Sequence, residues 1–210
     1  MRLIGMLDSP YVRRVAISLQ LLGLRFEHQS LSVFRTLVQF QKLNPVVKAP
    51  TLICDDGTVL MDSTLILDYA EALARPRSLM PAALPERLHA LRLIGLALAA
   101  CEKSVQIIYE RGQRPPEKLH EPWVARVTGQ LLAAYDGLEH ELARAPLATS
   151  RAAIDQAGVT VAVAWHFTQQ MLGEVVPAGR CPKLVAYSTF AEALPAFIAA
   201  PHGDATFAQP

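Results

Sequence analysis

Ser9, the pair Asp62-Ser63 and Pro50 are the positions where this 210-residue chain places side chains and backbone that can do chemistry. Ser9 lies between an apolar run that reads as a strand and the helical spacing of Val12, Val15, Ala16, Leu19 and Leu22. A hydroxyl at such a junction sits where unpaired amides and the helix dipole favour an anion, and it can donate a hydrogen bond to a thiolate. A serine there can equally do no more than cap its helix. Asp62-Ser63 precedes Leu65, Ile66, Tyr69, Ala70 and Leu73, again at helical spacing. That pair can hold the charged end of a small peptide, or simply compensate a helix dipole. Pro50 has no N–H and so belongs at the first residue of a strand. On its own it reads as an ordinary edge proline, since cis X–Pro bonds are only about 5–6% of the total.

Other reaction types lack an anchor. No glycine-rich phosphate loop follows a strand, no HExxH spacing occurs, and Ser9 is not in a GxSxG turn. The three cysteines, Cys54, Cys101 and Cys181, form no CxxC, and the six histidines are scattered. This predicts unpaired thiols in a reducing compartment and no metal site. Formal net charge +1 supplies no global field for nucleic acid or acidic membranes. No run approaches the roughly 18 apolar residues of a membrane helix, and an acid and a proline come too early for a signal peptide. A soluble, cytoplasmic protein is the expectation.

The elements that must position these residues follow from periodicity. Arg2–Met6 reads as a strand, Tyr11–Leu22 as a helix stopped by Gly23, and Leu24–Ser30 as a half-buried strand, making a βαβ unit. On the helix, Arg13, Arg14, Ser18 and Gln20 fall largely off the apolar face. A short helix is expected over Leu37–Lys42. Asp56-Gly57 between apolar runs then predicts a hairpin, and the next helix begins at Asp62-Ser63. The result is an α/β domain, β-α-β-α-β-β-α, over residues 1–75. Residues 76–85, with Pro76, Pro81 and Pro85, read as a linker. Residues 86–210 read as an all-helical domain, with helices over 86–111, 117–144, 156–172 and 182–192 and a poorly ordered tail after Pro201.

Taken together, Ser9-Pro10-Tyr11-Val12-Arg13-Arg14-Val15, Asn44-Pro45-Val46-Val47-Lys48-Ala49-Pro50 and Asp62-Ser63-Thr64-Leu65-Ile66-Leu67-Asp68-Tyr69 resemble the thioredoxin-like domain of cytosolic glutathione S-transferases. The likeness is closest to serine-type classes and bacterial relatives, and Tyr109–Lys118 is similar to a segment of bacterial members. The resemblance implies a mixed four-stranded sheet and glutathione as co-substrate, without a metal. It further implies that Ser9 activates the glutathione thiol and that Ala49 offers backbone hydrogen bonds beside a cis Pro50. Asp62 and Ser63 would hold the γ-glutamyl end, and Lys48 or Arg35 the glycyl carboxylate. A small hydrophobic electrophile would lie against Tyr11, Phe34, Ser104, Ile108 and Tyr109, in a homodimer.

Two residues depart from the family pattern. Ala49 replaces the usual Val or Ile before the proline, and Gly158 replaces the acid of a capping box opened here by Asp155. The expected reaction is addition or substitution by glutathione. A glutathione-dependent isomerase, or a non-catalytic interaction module on the same scaffold, is the alternative.

Overall fold

The alternation over the first 75 residues is realised as β1 (Arg2–Ile4), α1 (Pro10–Leu21), β2 (Glu27–Gln29), α2 (Leu37–Leu43), β3 (Thr51–Ile53), β4 (Val59–Met61) and α3 (Ser63–Leu73) in a computed structural model of the chain, which describes residues 1–207. The sheet runs β2-β1-β3-β4; β1 is parallel to β2, and β3 is antiparallel to both β1 and β4. One row of the ladder passes through Gln29, Ile4, Thr51 and Met61. The chain therefore leaves β1 and β2, enters β3 and leaves β4 at the same end of the sheet. Leu3, Ile4 and Leu52 are fully buried, as are Val15, Ala16 and Leu19 of α1 and Ile66 of α3. Burial of such side chains contributes roughly 1.5–3 kcal/mol each, which makes the register hard to shift. The predicted hairpin is present, with Gly57 at φ +86° in the turn between β3 and β4.

Arg13 and Arg14 differ from the expectation that they lie off the packed face, for both are buried. Each guanidinium takes partners inside the fold, which offsets its desolvation. Arg14 reaches Ser63 at the head of α3.

A second compact unit, Met80–Glu192, is helical: α4 (Leu84–Gln113), α5 (Glu121–Arg144), α6 (Gln156–Leu172) and α7 (Pro182–Glu192). The predicted linker shortens because Pro85 sits in the first turn of α4, where its missing N–H has no helical partner to lose. α6 is buried almost all round, from Gln156 to Trp165, as expected of a helix enclosed by its neighbours. The hydroxyl of Tyr135 on α5 donates to Thr168 Oγ1 (2.6 Å) on α6, and Ser104 on α4 shares a hydrogen bond with the same hydroxyl (2.9 Å). Asp155 caps α6 by accepting from Gly158 N–H at 2.7 Å. Gly158 has a steric reason: a Cβ there would run into the Tyr187 hydroxyl of α7.

The end of the chain departs from its predicted place. Residues 193–207 join the first unit, not the helical one. α8 (Pro195–Ile198) packs on α1, where Arg13 Nε donates to Ala200 O (2.8 Å) and its guanidinium lies over the Phe197 ring. The segment then runs back to β2, where Ser30 Oγ donates to Asp204 O (3.2 Å) and Phe207 stacks on Phe26 with centroids 4.6 Å apart. Residues 202–207, expected to be poorly ordered, are thus tied down by side chains distant in sequence. The last three residues of that predicted tail, 208–210, lie outside the described residues.

His28 is the hinge of this attachment. Phe207 N–H donates to its Nδ1 (2.9 Å), so the ring proton resides on Nε2, which donates to Gly5 O (2.7 Å). Burial lowers the His28 pKa from 6.5. The unfolded chain therefore binds the proton more readily, and the contribution is complete above pH about 6.5 and is lost as pH falls toward the folded-state value. Urea midpoints measured through that window should fall in the natural protein, and this part of the fall should be missing in His28→Gln.

Candidate functional site

All seven residues predicted to bind or activate glutathione lie in the first unit, on segments adjoining that one end of the sheet. Ser9 follows β1, Arg35 follows β2, Lys48, Ala49 and Pro50 precede β3, and Asp62-Ser63 follow β4. Gly5 lets the first and third of these segments come together. It has φ +132°, and a Cβ on it would stand 2.6 Å from Val12 Cγ2 and 3.3 Å from the Ala49 Cβ. A side chain at residue 5, or a larger one at residue 49, would crowd this approach. The small size of Ala49 fits that spacing.

Ser9 is the N-cap residue of α1, with extended backbone (φ −73°, ψ 123°) and Pro10 behind it, yet its hydroxyl makes no cap bond. It is half-buried. Its backbone N–H helps to lower the pKa of the neighbouring Asp8 carboxyl, although burial dominates and raises that pKa overall. The Asp204 carboxylate raises it further, whereas His202 and Arg35 oppose the shift. Asp8 thus joins a charged group beside Ser9 that the sequence reading did not include, because two of its members come from the far end of the chain.

The loop before β3 is organised by Asn44, which is buried. Its Nδ2 donates to Thr51 Oγ1 (2.8 Å), its Oδ1 accepts from Val46 N–H (3.0 Å), and Thr51 Oγ1 donates to Lys48 O (2.6 Å). The Ala49–Pro50 peptide is cis, as the resemblance implies, and Val47 adopts φ 55°. Lys48 is exposed, with its ammonium 3.9 Å from Asp62 Oδ2.

Asp62 is a true cap: its Oδ1 accepts from Thr64 N–H at 2.9 Å, with its own backbone in the left-handed region at φ 71°. Ser63 is buried, and its Oγ accepts from Arg14 Nη1 at 3.1 Å. Arg14 also reaches Thr64 Oγ1 at 3.4 Å. Because Arg14 donates to the Ser63 oxygen, the serine keeps its own O–H as a donor. Arg14 is a positioning residue that helical periodicity alone could not single out.

Arg35 is exposed and paired with Asp204 Oδ2 at 2.8 Å. Of the predicted electrophile walls, Tyr11 is half-buried and Phe34 exposed in the first unit, whereas Ile108 is half-buried and Tyr109 exposed on α4 in the second. Ser104 is corrected. It is fully buried, its hydroxyl is committed to Thr168, and so it belongs to the helical core. Among the described residues there is no group of three or more His, Cys, Asp or Glu that could hold a metal ion, and no helix long and apolar enough to cross a membrane.

Residues 3–78 match the family model for the glutathione S-transferase N-terminal domain. The chain is similar to a crystal structure of a glutathione transferase family member from Pseudomonas fluorescens with bound S-(propanoic acid)-glutathione. Identity is 30%, the TM-score is 0.79, and 95% of this chain and 98% of that one are covered. It is also similar to a glutathione S-transferase from Methylobacterium radiotolerans in complex with glutathione sulfonate, at 25% identity and TM-score 0.86, covering 100% and 96%. Among curated relatives, the GST-like protein YibF of Escherichia coli is 25% identical over 186 residues, 88% of this chain and 92% of that protein.

The two helix starts should respond differently to truncation. Ser9→Ala should leave unfolding free energy within about 0.5 kcal/mol, as for a surface change that removes no bond. Asp62→Ala should cost about 1–2 kcal/mol through the lost cap, with left-handed strain added. Urea denaturation of both variants decides it.

Proposed function

The chain belongs to the glutathione transferase family, and from that premise we propose that it binds glutathione at this end of the sheet and transfers it to a small hydrophobic electrophile. The observation that carries the reading is the uncommitted hydroxyl of Ser9 at the start of α1, set on the same sheet end as the Ala49–Pro50 loop and Asp62-Ser63. A free thiol has a pKa of about 8.5, so only a few per cent is thiolate at neutral pH. A donor hydroxyl and a helix N-terminus both stabilise the charged form and lower that value. In the proposed step the thiol proton passes to solvent and the Ser9 O–H donates to the sulfur anion. The sulfur then forms a bond to an electrophilic carbon. In a substitution the leaving group departs with its electron pair; in an addition the resulting carbanion takes up a proton.

The γ-glutamyl end would lie on Asp62 and Ser63. Asp62 Oδ2, one oxygen beyond the cap bond, suits an ammonium, and Ser63, backed by Arg14, suits a carboxylate. Lys48 or Arg35 would meet the glycyl carboxylate, and Ala49 the cysteinyl backbone. Tyr11, Phe34, Ile108 and Tyr109 remain the proposed walls for the electrophile.

A homodimer completes the proposal. Leu65, Tyr69 and Leu73 form an exposed apolar row on α3 of the first unit, and Leu84, Leu88 and Leu91 form another on α4 of the second. Such rows are a liability in a monomer and support pairing of one subunit's first unit with its partner's second.

Natural protein should be retained on immobilised glutathione. Ser9→Ala should still be retained while kcat/KM with an aryl halide falls about 10–100-fold, the worth of one hydrogen bond to a charged group at about 1.5–3 kcal/mol. An unchanged rate would mean that the thiolate is stabilised by other groups. For the dimer, Leu88→Glu should shift the mass measured by light scattering toward a single chain without loss of helical signal.

A further inference from the structure

A pocket of about 470 Å³ opens in the helical unit where the first turns of α4, the loop after α5, the start of α6 and Tyr187 of α7 meet. Its wall is largely apolar, built by Pro81, Pro85, Ala90, Leu93, Pro146 and Leu147. Its volume falls within the range of ligand sites, roughly 300–1,000 Å³, and like them it has a few converging polar groups on an apolar surface. Those groups are Glu86, His89, Asp155 and Tyr187.

We propose that this pocket binds a small organic cation, an apolar molecule ending in a protonated amine. The charged groups lining it are Glu86 and Asp155, and no lysine or arginine joins them. Asp155 spends Oδ1 on the α6 cap and keeps a second oxygen. Tyr187 is 96% buried by its 4% exposure, and its hydroxyl has no hydrogen-bond partner among the described residues. His89 and Tyr187 both feel the charge of Asp155, so the three side chains converge on one region. Behind His89, at 3.8 Å, stands Glu141, whose carboxylate is already met by Arg92 and Arg144. The lining therefore offers a carboxylate oxygen and a phenolic oxygen as acceptors, beside the imidazole ring of His89. An ammonium brings three donors and one positive charge, which matches that set; an anion matches none of it.

This site is separate from the glutathione site and does not depend on it, because every lining residue belongs to the helical unit. Calorimetry on the full chain, with saturating glutathione present, is run with phenethylamine, phenethyl alcohol and phenylacetate as probes. We expect one amine per chain, bound at least about tenfold more tightly than phenylacetate, in line with a charge-assisted bond. Glu86→Lys should weaken the amine about fivefold or more, and Ala148→Trp should abolish binding by filling the pocket. Both positions are exposed, and circular dichroism together with retention on glutathione confirms that the variants fold. Amine binding that survives Ala148→Trp, or that is no tighter than phenylacetate, overturns the proposal.

Discussion

Backbone register is the constraint on which the candidate site depends. Gln29, Ile4, Thr51 and Met61 lie in one ladder row, and the segments carrying Ser9, Arg35, Ala49 and Asp62 adjoin that row or lie a few residues beyond it. A slip of one residue in any pair would turn Leu3 or Leu52 from the core and displace one of those segments from the rest. Gly5 adds a second condition. The segment after β1 can lie against Ala49 only because residue 5 has no side chain. The spacing between Ser9 and the Ala49–Pro50 backbone is thus set by packed hydrocarbon and a glycine, not by polar contacts within the site.

The polar side chains of the site are spent unequally. Asp62 commits one oxygen to the cap of α3, Ser63 accepts from a buried arginine, and Asn44 and Thr51 use their side chains to hold the loop. These groups are rigid because they are satisfied. Ser9 is the exception, since it holds the cap position without making the cap bond. A hydroxyl left free at a helix start contributes little to folding, and the proposed contact with a thiolate rests on that free group.

The βαβ unit, the hairpin, the helix that starts at Asp62-Ser63 and the strand that follows Pro50 were legible in the sequence because each follows from a local rule: period, turn chemistry or a missing N–H; the mixed four-stranded sheet was implied by the family resemblance. What was not legible depended on distant partners. Helical spacing could not reveal that Arg13 and Arg14 are buried, because their partners, Ala200 and Ser63, lie 187 and 49 residues away. Ser104 was misread for the same reason. A serine on a helix looks available until Thr168 and Tyr135 are placed beside it. The closing segment had no periodicity to read, and it is held by a stack, an arginine-backed ring and a histidine. Gly158 looked like a defective capping box, yet a side chain at that position would collide with Tyr187.

The closing segment also bears on how the site is entered. Asp204 presents a carboxylate to Arg35, the same chemical group that the glycyl end of glutathione would present. Both partners are well exposed, so the contact is screened by salt and a ligand carboxylate can displace it at little cost. The rest of the segment need not move with it, because its anchors are elsewhere: Ala200 on Arg13, Phe207 on Phe26 and His28. If Arg35 receives the tripeptide, Asp204 acts as a placeholder on a fixed strap. The exchange of carboxylates would then be confined to one side chain at the rim, leaving the sheet end and Ser9 as they stand.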